Sequence, residues 1–234
     1  KELIVGTTSA YAPYVSLNEE GEYIGFDIDI AHLIGQKLNS NVKIQDLGSI
    51  PSLFLALRQN KIDLIIWAVS ITKTREQQME MIYYQGEKVT SLPLLFWKKI
   101  PKNICSLNDM VNNKNAMIAV EAGSFQECFL RTIADLNVKQ VDKVMDAILE
   151  IKYGKSQATM VDPSLLTKLT KQFPELKVMH VPLPENEQSL GNGICVNKKN
   201  SELASLIKQA ISELSSDGKI NELEKKWGLT KDYE

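Results

Sequence analysis

A short polar run, Ser70–Glu76, contains the groups best suited to hold a small charged molecule. Its hydroxyls, its backbone N–H groups and the planar guanidinium of Arg75 could take a carboxylate through two parallel hydrogen bonds. Far along the chain, Asp162 offers a full negative charge that could bind an ammonium group. Tyr11 and Tyr14 follow the first apolar run, where a loop at the end of a strand could line a binding site. These residue types favour binding of a small molecule over catalysis.

Sequence motifs of the common enzyme classes are missing from the chain. No Gly-x-Gly-x-x-Gly and no Gly-x-Ser-x-Gly is found, so neither a dinucleotide fold nor a serine hydrolase is indicated. Gly154-Lys155-Ser156 lacks the earlier glycine of a phosphate-binding loop, because Leu149 stands there, and Gly154 is expected to end a helix. Two histidines, His32 and His180, cannot supply a typical zinc site. We expect no metal, no cofactor and no catalytic residue.

Length and charge exclude further classes of protein. The 234 residues include 27 Lys and Arg against 29 Asp and Glu, which gives a formal net charge of −2. This balance offers no electrostatic basis for binding nucleic acid or an anionic membrane. No apolar run approaches the roughly 20 residues that are needed to span a bilayer. A soluble globular protein of one large domain or two smaller ones is therefore expected.

The three cysteines are too widely spaced for a disulfide framework or a metal cluster. Cys195 alternates within an apolar strand pattern and is expected to be buried as a small hydrophobic residue. Cys105 and Cys128 could form a pair, and the sequence leaves this open because it does not show whether their Cβ atoms approach.

The elements that must position the charged residues alternate between strand and helix. Phe26–Leu38 has an apolar stripe with the period of a helix, and Asp27 is placed to cap its N-terminus. Pro51–Gln59 suits a second helix with proline in its first turn. Leu64–Ala68 is uninterrupted apolar, which is typical of a parallel strand covered on both faces. This order predicts an α/β sheet.

A second series of the same kind follows an extended stretch, Glu87–Lys98, that carries Pro93. Its predicted elements are a strand near Met117–Val120, a helix from Ser124, a helix over Val141–Tyr153, a strand over Ala158–Val161 and a helix that starts at Asp162-Pro163. A proline-broken connection then leads to a strand over Gly191–Val196 and a long final helix closed near Gly218. Because two such connections bracket the middle series, we predict two lobes with a cleft between them: residues 1–88 with 186–234, and residues 89–185.

Several short motifs also occur in a characteristic order along nearly the whole chain. They are Gly6-Thr7 with Tyr11–Tyr14, Glu22–Asp29, Lys61–Asp63, Ser70–Thr72 with Arg75, Val161-Asp162, Gly191–Gly193, and Asp217–Ile220 with Trp227-Gly228. This set resembles the family 3 periplasmic amino-acid binding proteins, the substrate-capture subunits of ABC importers, and among them most of all the binders of arginine and other basic amino acids. The resemblance implies a type II periplasmic-binding-protein fold: α/β, with two lobes that are each a mixed sheet flanked by helices, joined by two hinge strands.

The resemblance also implies a role for each charged residue. Arg75, helped by the Ser70 hydroxyl, would hold the α-carboxylate of an amino acid, and Asp162 would hold its α-ammonium. Tyr11 would lie against the ligand side chain, whereas Asp27 is expected to be structural. Because Arg75 and Asp162 belong to different lobes, a zwitterion would favour closure, and a permease would recognise the closed form.

Aromatic residues near these motifs favour a cationic side chain. Trp67 and Tyr11 could stack on the two faces of a guanidinium. Phe125 favours an apolar or stacking wall at the same ligand. Arginine is therefore the first expectation, with lysine or glutamine next. The ligand-binding residues predicted in this way are Tyr11, Tyr14, Trp67, Ala68, Ser70, Arg75, Glu121, Ser124, Phe125 and Asp162.

The carboxylate that would pair with a cationic ligand side chain is left open by the sequence. Thr8 stands where a relative of this kind has an acidic contact, so that contact is in doubt in this chain. Glu121, Glu19 and Glu20 are the candidates to replace it.

Partners and location follow from the same resemblance. We expect a free amino acid and an ABC transporter permease as partners, no nucleic acid, and a monomer. The abrupt start at Lys1 is interpreted as that of a chain whose export signal has been removed. We expect this chain to lie in the periplasm, to be secreted, or to be held at the membrane surface by a lipid anchor. Two alternatives stay open: an enzyme of the same fold, similar to cyclohexadienyl dehydratases, and a ligand sensor domain.

Overall fold

Strands and helices alternate along most of the chain in the computed structural model, which describes residues 2–230. The strands are β1 (Glu2–Thr7), β2 (Ser16–Leu17), β3 (Tyr23–Ile24), β4 (Asn41–Asp46), β5 (Leu64–Ser70), β6 (Glu80–Gln85), β7 (Ser91–Trp97), β8 (Ile118–Glu121), β9 (Val138–Val141), β10 (Ala158–Met160), β11 (Leu176–Pro182) and β12 (Asn192–Val196). The helices are α1 (Phe26–Lys37), α2 (Ile50–Arg58), α3 (Lys73–Gln78), α4 (Leu107–Val111), α5 (Phe125–Leu130), α6 (Val144–Lys152), α7 (Leu166–Gln172), α8 (Ser201–Ser216) and α9 (Lys219–Lys226). Short 3-10 helices cover Pro163–Leu165 and Glu185–Glu187.

These elements form two compact units. The first runs up to Lys88 and resumes at Ser189, and the second is Val89–Gln188. The sequence prediction has its first boundary at the same place and its second between residues 185 and 186. Gln188, the last residue of the second unit, donates a hydrogen bond from Nε2 to the carbonyl oxygen of Leu183 in the same unit.

The first unit is built on a mixed sheet with the strand order β4-β1-β5-β12-β6. β1 runs parallel to β4 and β5, whereas β12 runs antiparallel to β5 and β6. Every residue of β5 is buried, and helices α1 and α2 pack against it. The uninterrupted apolar run in the sequence is thus a central strand, as predicted, although one of its two neighbours is antiparallel.

Helix α1 begins differently from the prediction. Its N-cap residue is Gly25, and Asp27 lies in the first turn with a fully buried side chain that does not cap the helix. The prediction of Asp27 as N-cap is therefore wrong, because its carboxylate instead accepts hydrogen bonds from Ala68 N at 2.8 Å and from the Tyr84 hydroxyl at 2.7 Å. Gly25 has φ 139°, and a Cβ atom there would overlap the carbonyl group of Tyr14, so only glycine suits this position.

The second unit is built on another mixed sheet, with the strand order β11-β7-β10-β8-β9. β8 runs parallel to β9 and β10, and β7 runs antiparallel to β10 and β11. Two apolar clusters pack around this sheet, one of which includes Phe96, Leu94 and Leu130 and the other Leu95 and Ile148. The mixed α/β architecture predicted from the sequence is confirmed in both units.

One predicted boundary is wrong and one strand was not predicted, and the two errors have a common reason. The helix predicted over Val141–Tyr153 begins only at Val144, because Val141 is the last residue of β9, opposite Glu121 of β8. Strand β6 is absent from the prediction. It is the edge strand of the first sheet and its exposed residues include Glu80 and Tyr83, so it has no continuous apolar run. Short strands with polar residues give a weak periodic signal.

The three cysteines are free, and they differ in burial. Cys195 is buried in β12, as predicted, while Cys105 and Cys128 are exposed and free, so the pairing left open by the sequence is not formed. His32 and His180 are both exposed. Between residues 2 and 230, no helix has the length and apolar character needed to cross a bilayer.

Gly25→Ala should lower the free energy of unfolding more than a glycine substitution that causes only backbone strain. Gly21 is the matched control, because it also has positive φ, 81°, but nothing lies within 4 Å of the Cβ it would gain. We expect Gly21→Ala to lower the free energy of unfolding by about 1 kcal/mol, the cost of a left-handed residue, and Gly25→Ala by about 3 kcal/mol, since steric overlap is added. Urea unfolding measures both. Equal losses in the two variants would contradict the role assigned to Gly25.

Candidate functional site

Three of the predicted residues form a row of aromatic rings at one edge of the first sheet. The Tyr11 ring centroid lies 4.7 Å from that of Trp67 and 5.4 Å from that of Tyr14, with interplanar angles of 34° and 19°. Tyr11 is held by a backbone hydrogen bond of 2.8 Å to Val15. Because β1 and β5 are parallel neighbours, their carboxyl ends bring the Tyr11 loop and Trp67 to the same edge.

Trp67 and Ala68 lie within β5 beside this row. Trp67 is only 8% exposed, and its indole Nε1 has no hydrogen-bond partner among the described residues. A buried donor without a partner costs about 1–3 kcal/mol, so natural proteins keep few of them away from functional sites. Ala68 has φ 46°, which is unusual for a residue other than glycine. Both features favour a binding role for this part of the strand.

Arg75 lies in helix α3, just beyond the end of β5. Its backbone N–H donates to the hydroxyl of Thr72, the N-cap residue, which fixes the first turn of the helix. The guanidinium is buried, donates from Nη1 to the Ser70 carbonyl oxygen at 2.9 Å, and lies 5.4 Å from the centroid of the Phe54 ring. A carboxylate would accept two N–H groups of such a side chain in a bidentate pair.

Two carboxylates lie at the ends of neighbouring strands, at one edge of the second sheet. β8 and β10 are parallel neighbours with Ala119 opposite Thr159, so Glu121, the last residue of β8, and Asp162, just beyond β10, leave the sheet together. One oxygen of Asp162, Oδ1, accepts hydrogen bonds from Ser164 N at 2.8 Å and Ser164 Oγ at 2.6 Å. Asp162 thus caps the 3-10 turn that leads into α7, as the sequence predicts, and its side chain remains half-buried.

The carboxyl group of Glu121 is difficult to ionise where it lies. Burial raises the pKa of Glu121 to about 7, with smaller contributions in the same direction from Asp146 and Asp162, while Lys143 acts to lower it. The group therefore changes charge near neutral pH. A cation placed beside it would favour the ionised form.

The loop between β8 and α5 places the last two predicted residues. Ser124 is the buried N-cap residue of α5, and its hydroxyl accepts a hydrogen bond from Glu127 N at 3.1 Å. Phe125 is buried in the larger apolar cluster of the second unit, so its predicted role at a ligand stays a prediction. Glu127 was missed by the sequence reasoning. Its side chain accepts from Gly123 N at 2.7 Å and holds the loop, and the pattern Ser-x-x-Glu is the signal that could have found it.

The ten predicted residues thus lie in two groups. Tyr11, Tyr14, Trp67, Ala68, Ser70 and Arg75 belong to the first unit, and Glu121, Ser124, Phe125 and Asp162 belong to the second. Glu19 and Glu20 are exposed in the turn between β2 and β3. The sequence reasoning also missed Phe54, for which no motif gives a signal, and the buried Tyr84 hydroxyl that bonds to Asp27.

The first unit also has cavities that none of the ten predicted residues lines. A cavity of about 370 Å³ in the first unit opens at the amino end of β1, and its lining includes Leu3, Asp63 and Leu203 but none of the ten predicted residues. Within residues 2–230, no cluster of three or more His, Cys, Asp and Glu side chains is arranged to hold a metal ion.

Known proteins resemble this chain over nearly its whole length. It is 34% identical over 229 residues to the probable ABC transporter arginine-binding protein ArtJ of Chlamydia trachomatis, covering 98% of this chain and 86% of that protein. A crystal structure of a mutant of ArgBP from T. maritima superposes with a TM-score of 0.83 at 26% identity, covering 98% of this chain and 96% of that one. An ancestral arginine-binding protein bound to arginine superposes with a TM-score of 0.80 at 29% identity, covering 97% of both chains.

A family model matches as well, and it spans both units. Residues 3–230 match the model of the bacterial extracellular solute-binding proteins, family 3. The motifs identified in the sequence, from Gly6-Thr7 to Trp227-Gly228, all lie within the matched region. The resemblance found in the sequence is therefore confirmed, and the chain belongs to family 3 of the bacterial extracellular solute-binding proteins.

Proposed function

We propose that this protein captures free L-arginine outside the cytoplasmic membrane and delivers it to the permease of an ABC importer. The observation that carries the proposal is that β5, which holds Trp67 of the aromatic row, leads directly to the buried guanidinium of Arg75. A fixed cation just beyond a strand that carries a stacked aromatic ring suits an amino acid that has a carboxylate at one end and a planar cation at the other. Relatives named as arginine-binding support the same choice.

The two ends of the backbone of the ligand are assigned to opposite charges. Arg75 takes the α-carboxylate in a bidentate pair, and Asp162 takes the α-ammonium with a charge-assisted hydrogen bond. Asp162 already accepts two hydrogen bonds through Oδ1, so capping and ligand binding can coexist on one carboxylate, which has about four lone-pair sites. Since Arg75 belongs to the first unit and Asp162 to the second, a zwitterion held by both would tie the two units together.

Glu121 is assigned to the cationic side chain of the ligand. It follows β8 at the same edge as Asp162, and it is half-buried, whereas Glu19 and Glu20 are exposed. Because its pKa is raised to about 7, this carboxyl group can ionise beside a cationic side chain and stay protonated beside a neutral one. The aromatic row supplies the stacking surface for the guanidinium plane.

Transport binding is favoured over the alternatives of an enzyme and a sensor. The similar proteins are named as binding proteins, and the ArtJ relative is described as part of an ABC transporter. Glu121 is the titratable group that an acid–base reaction would use, and in this proposal it serves as a counter-charge. We propose a monomer that acts in the periplasm or at the outer face of the membrane, in keeping with an extracellular family.

Among the twenty amino acids, arginine should stabilise the protein most in a thermal-shift panel. A ligand at 100 times its dissociation constant adds about 2.7 kcal/mol to the stability, which for this chain length raises Tm by roughly 5–10 °C. Lysine and glutamine should give smaller shifts. A panel in which no amino acid moves Tm would contradict the proposal.

Conservative substitutions at the two charged residues should abolish binding without unfolding the protein. Arg75→Lys keeps the charge but loses the bidentate geometry, and Asp162→Asn keeps a cap for Ser164 but loses the charge. We expect each to weaken arginine binding at least 100-fold in calorimetric titration. Arg58→Lys and Asp135→Asn, both exposed, are matched controls and should bind as the wild type does. Unchanged affinity in Arg75→Lys and Asp162→Asn would overturn the assignment.

Arginine affinity should rise with pH between about 6 and 8. Because the pKa of Glu121 is raised to about 7, its neutral form must release a proton when a cation binds, so affinity falls below that pH by up to tenfold per unit. Glutamine carries no side-chain charge and should not show this dependence. Glu121→Gln should weaken arginine binding and remove the difference in pH profile between the two ligands. An arginine profile that keeps its slope in Glu121→Gln would exclude Glu121 as the counter-charge.

A further inference from the structure

Strand β5 is bulged at the residues predicted to face the ligand. The pairing of β12 with β5 shifts register between Gly193, which lies opposite Val69, and Cys195, which lies opposite Ile65. The extra residues are on β5, so Ile66–Ala68 forms the bulge. Bulges redirect side chains and are found next to binding sites more often than elsewhere in sheets.

The bulge has an unusual backbone and carries one of the stacked aromatic rings. Ala68 has φ 46°, a left-handed conformation that disfavours residues with a Cβ atom. Trp67, the residue before it, packs against Tyr11. Backbone strain of this kind persists only where the surroundings enforce it.

Side chains from three other elements hold the bulge in place. The backbone N–H of Ala68 donates to Asp27 Oδ2 of α1 at 2.8 Å, and it also lies 3.2 Å from the hydroxyl oxygen of Tyr84 in β6. Tyr84 in turn donates to Asp27 Oδ1 at 2.7 Å. On the other side, the hydroxyl of Thr7, at the end of β1, donates to the carbonyl oxygen of Ile66 at 3.0 Å. The peptide groups displaced from the strand ladder are thus paired by side chains.

The group at the centre of this cluster is a carboxyl group in the core. Asp27 and Thr7 are fully buried, and Tyr84 is 2% exposed. Burial raises the pKa of Asp27 to about 7, although the hydrogen bonds from Tyr84 and Ala68 act to lower it. An apolar side chain would fill the same space without that cost, so packing alone does not explain an aspartate at this position.

We propose that Asp27 is a positioning residue of the ligand site, which, with Tyr84 and Thr7, clamps the β5 bulge and so holds Trp67 in the aromatic row. This inference rests on the proposed amino-acid binding function. In this proposal Asp27 does not contact the ligand. It affects binding only by fixing the backbone of Ala68.

The decisive comparison is between Asp27→Asn and Asp27→Ala. Asparagine keeps an acceptor for Ala68 N and should bind arginine within about threefold of the wild type. Alanine removes both acceptor oxygens and should weaken binding at least tenfold, measured by calorimetric titration well below Tm. Tyr84→Phe leaves the Asp27–Ala68 bond in place and should change affinity by less than Asp27→Ala does. Equal affinity in Asp27→Ala and the wild type would overturn the proposal.

Ile34→Ala is the control for simple loss of stability. Ile34 is fully buried in the same helix, and it makes no side-chain hydrogen bond to the bulge. It should lower Tm and leave arginine affinity unchanged. If Ile34→Ala weakens binding as much as Asp27→Ala does, the effect of Asp27 is only structural and the proposal fails.

A ligand-free readout separates this inference from the proposed function. Trp97→Phe and Trp227→Phe together leave Trp67 as the single tryptophan. In that background, Asp27→Ala should increase acrylamide quenching of Trp67 emission, whereas Asp27→Asn and Ile34→Ala should not. If the wild type binds no amino acid, the proposed function fails, and this quenching measurement still decides whether Asp27 positions Trp67. Unchanged quenching in Asp27→Ala would exclude that role.

Discussion

Parallel pairing between neighbouring strands is the constraint on which the candidate site depends. Carboxyl ends of parallel strands meet at one edge of a sheet, so the loops that follow them are neighbours whatever their sequences are. In the first unit this brings the Tyr11 loop to the end of β5, and in the second it brings Glu121 next to the start of the Asp162 turn. The antiparallel strands β12 and β7 pair with β5 and β10 on the side away from these parallel neighbours. The strand topology thus brings together candidate binding side chains that are far apart in the sequence.

Several ionisable groups that are buried or half-buried lie near these edges. Asp27 and Glu121 each have a pKa raised to about 7 by burial, and Arg75 is buried beside a backbone carbonyl and an aromatic ring. Such groups cost folding free energy and are kept where they serve another purpose. In the proposed site, Asp27 maintains the shape of one strand, and Arg75 and Glu121 provide charges for a ligand. The net charge of the whole chain, −2, says little about any of them.

Much of this arrangement could be predicted from the sequence, because the informative signals were local. The apolar run of β5, the proline-containing cap at Asp162 and the Ser-Ile-Thr-x-x-Arg motif each depend on a few adjacent residues. What was missed depends on long-range pairing. The sequence suggests Asp27 as a helix cap, whereas in the structure it lies in the first turn of α1 and accepts hydrogen bonds from Ala68 and Tyr84 of distant strands. The edge strand β6 gave no apolar run in the sequence for a different reason, because some of its residues are exposed.

A crystal structure of the protein with L-arginine tests the central claim most directly. We expect that the α-carboxylate of the ligand pairs with Arg75, that its α-ammonium lies within hydrogen-bond distance of Asp162, and that the guanidinium stacks on the ring of Trp67 or Tyr11. Arginine bound in another place, for example in the cavity at the amino end of β1, or bound with its carboxylate away from Arg75, would contradict the proposed site.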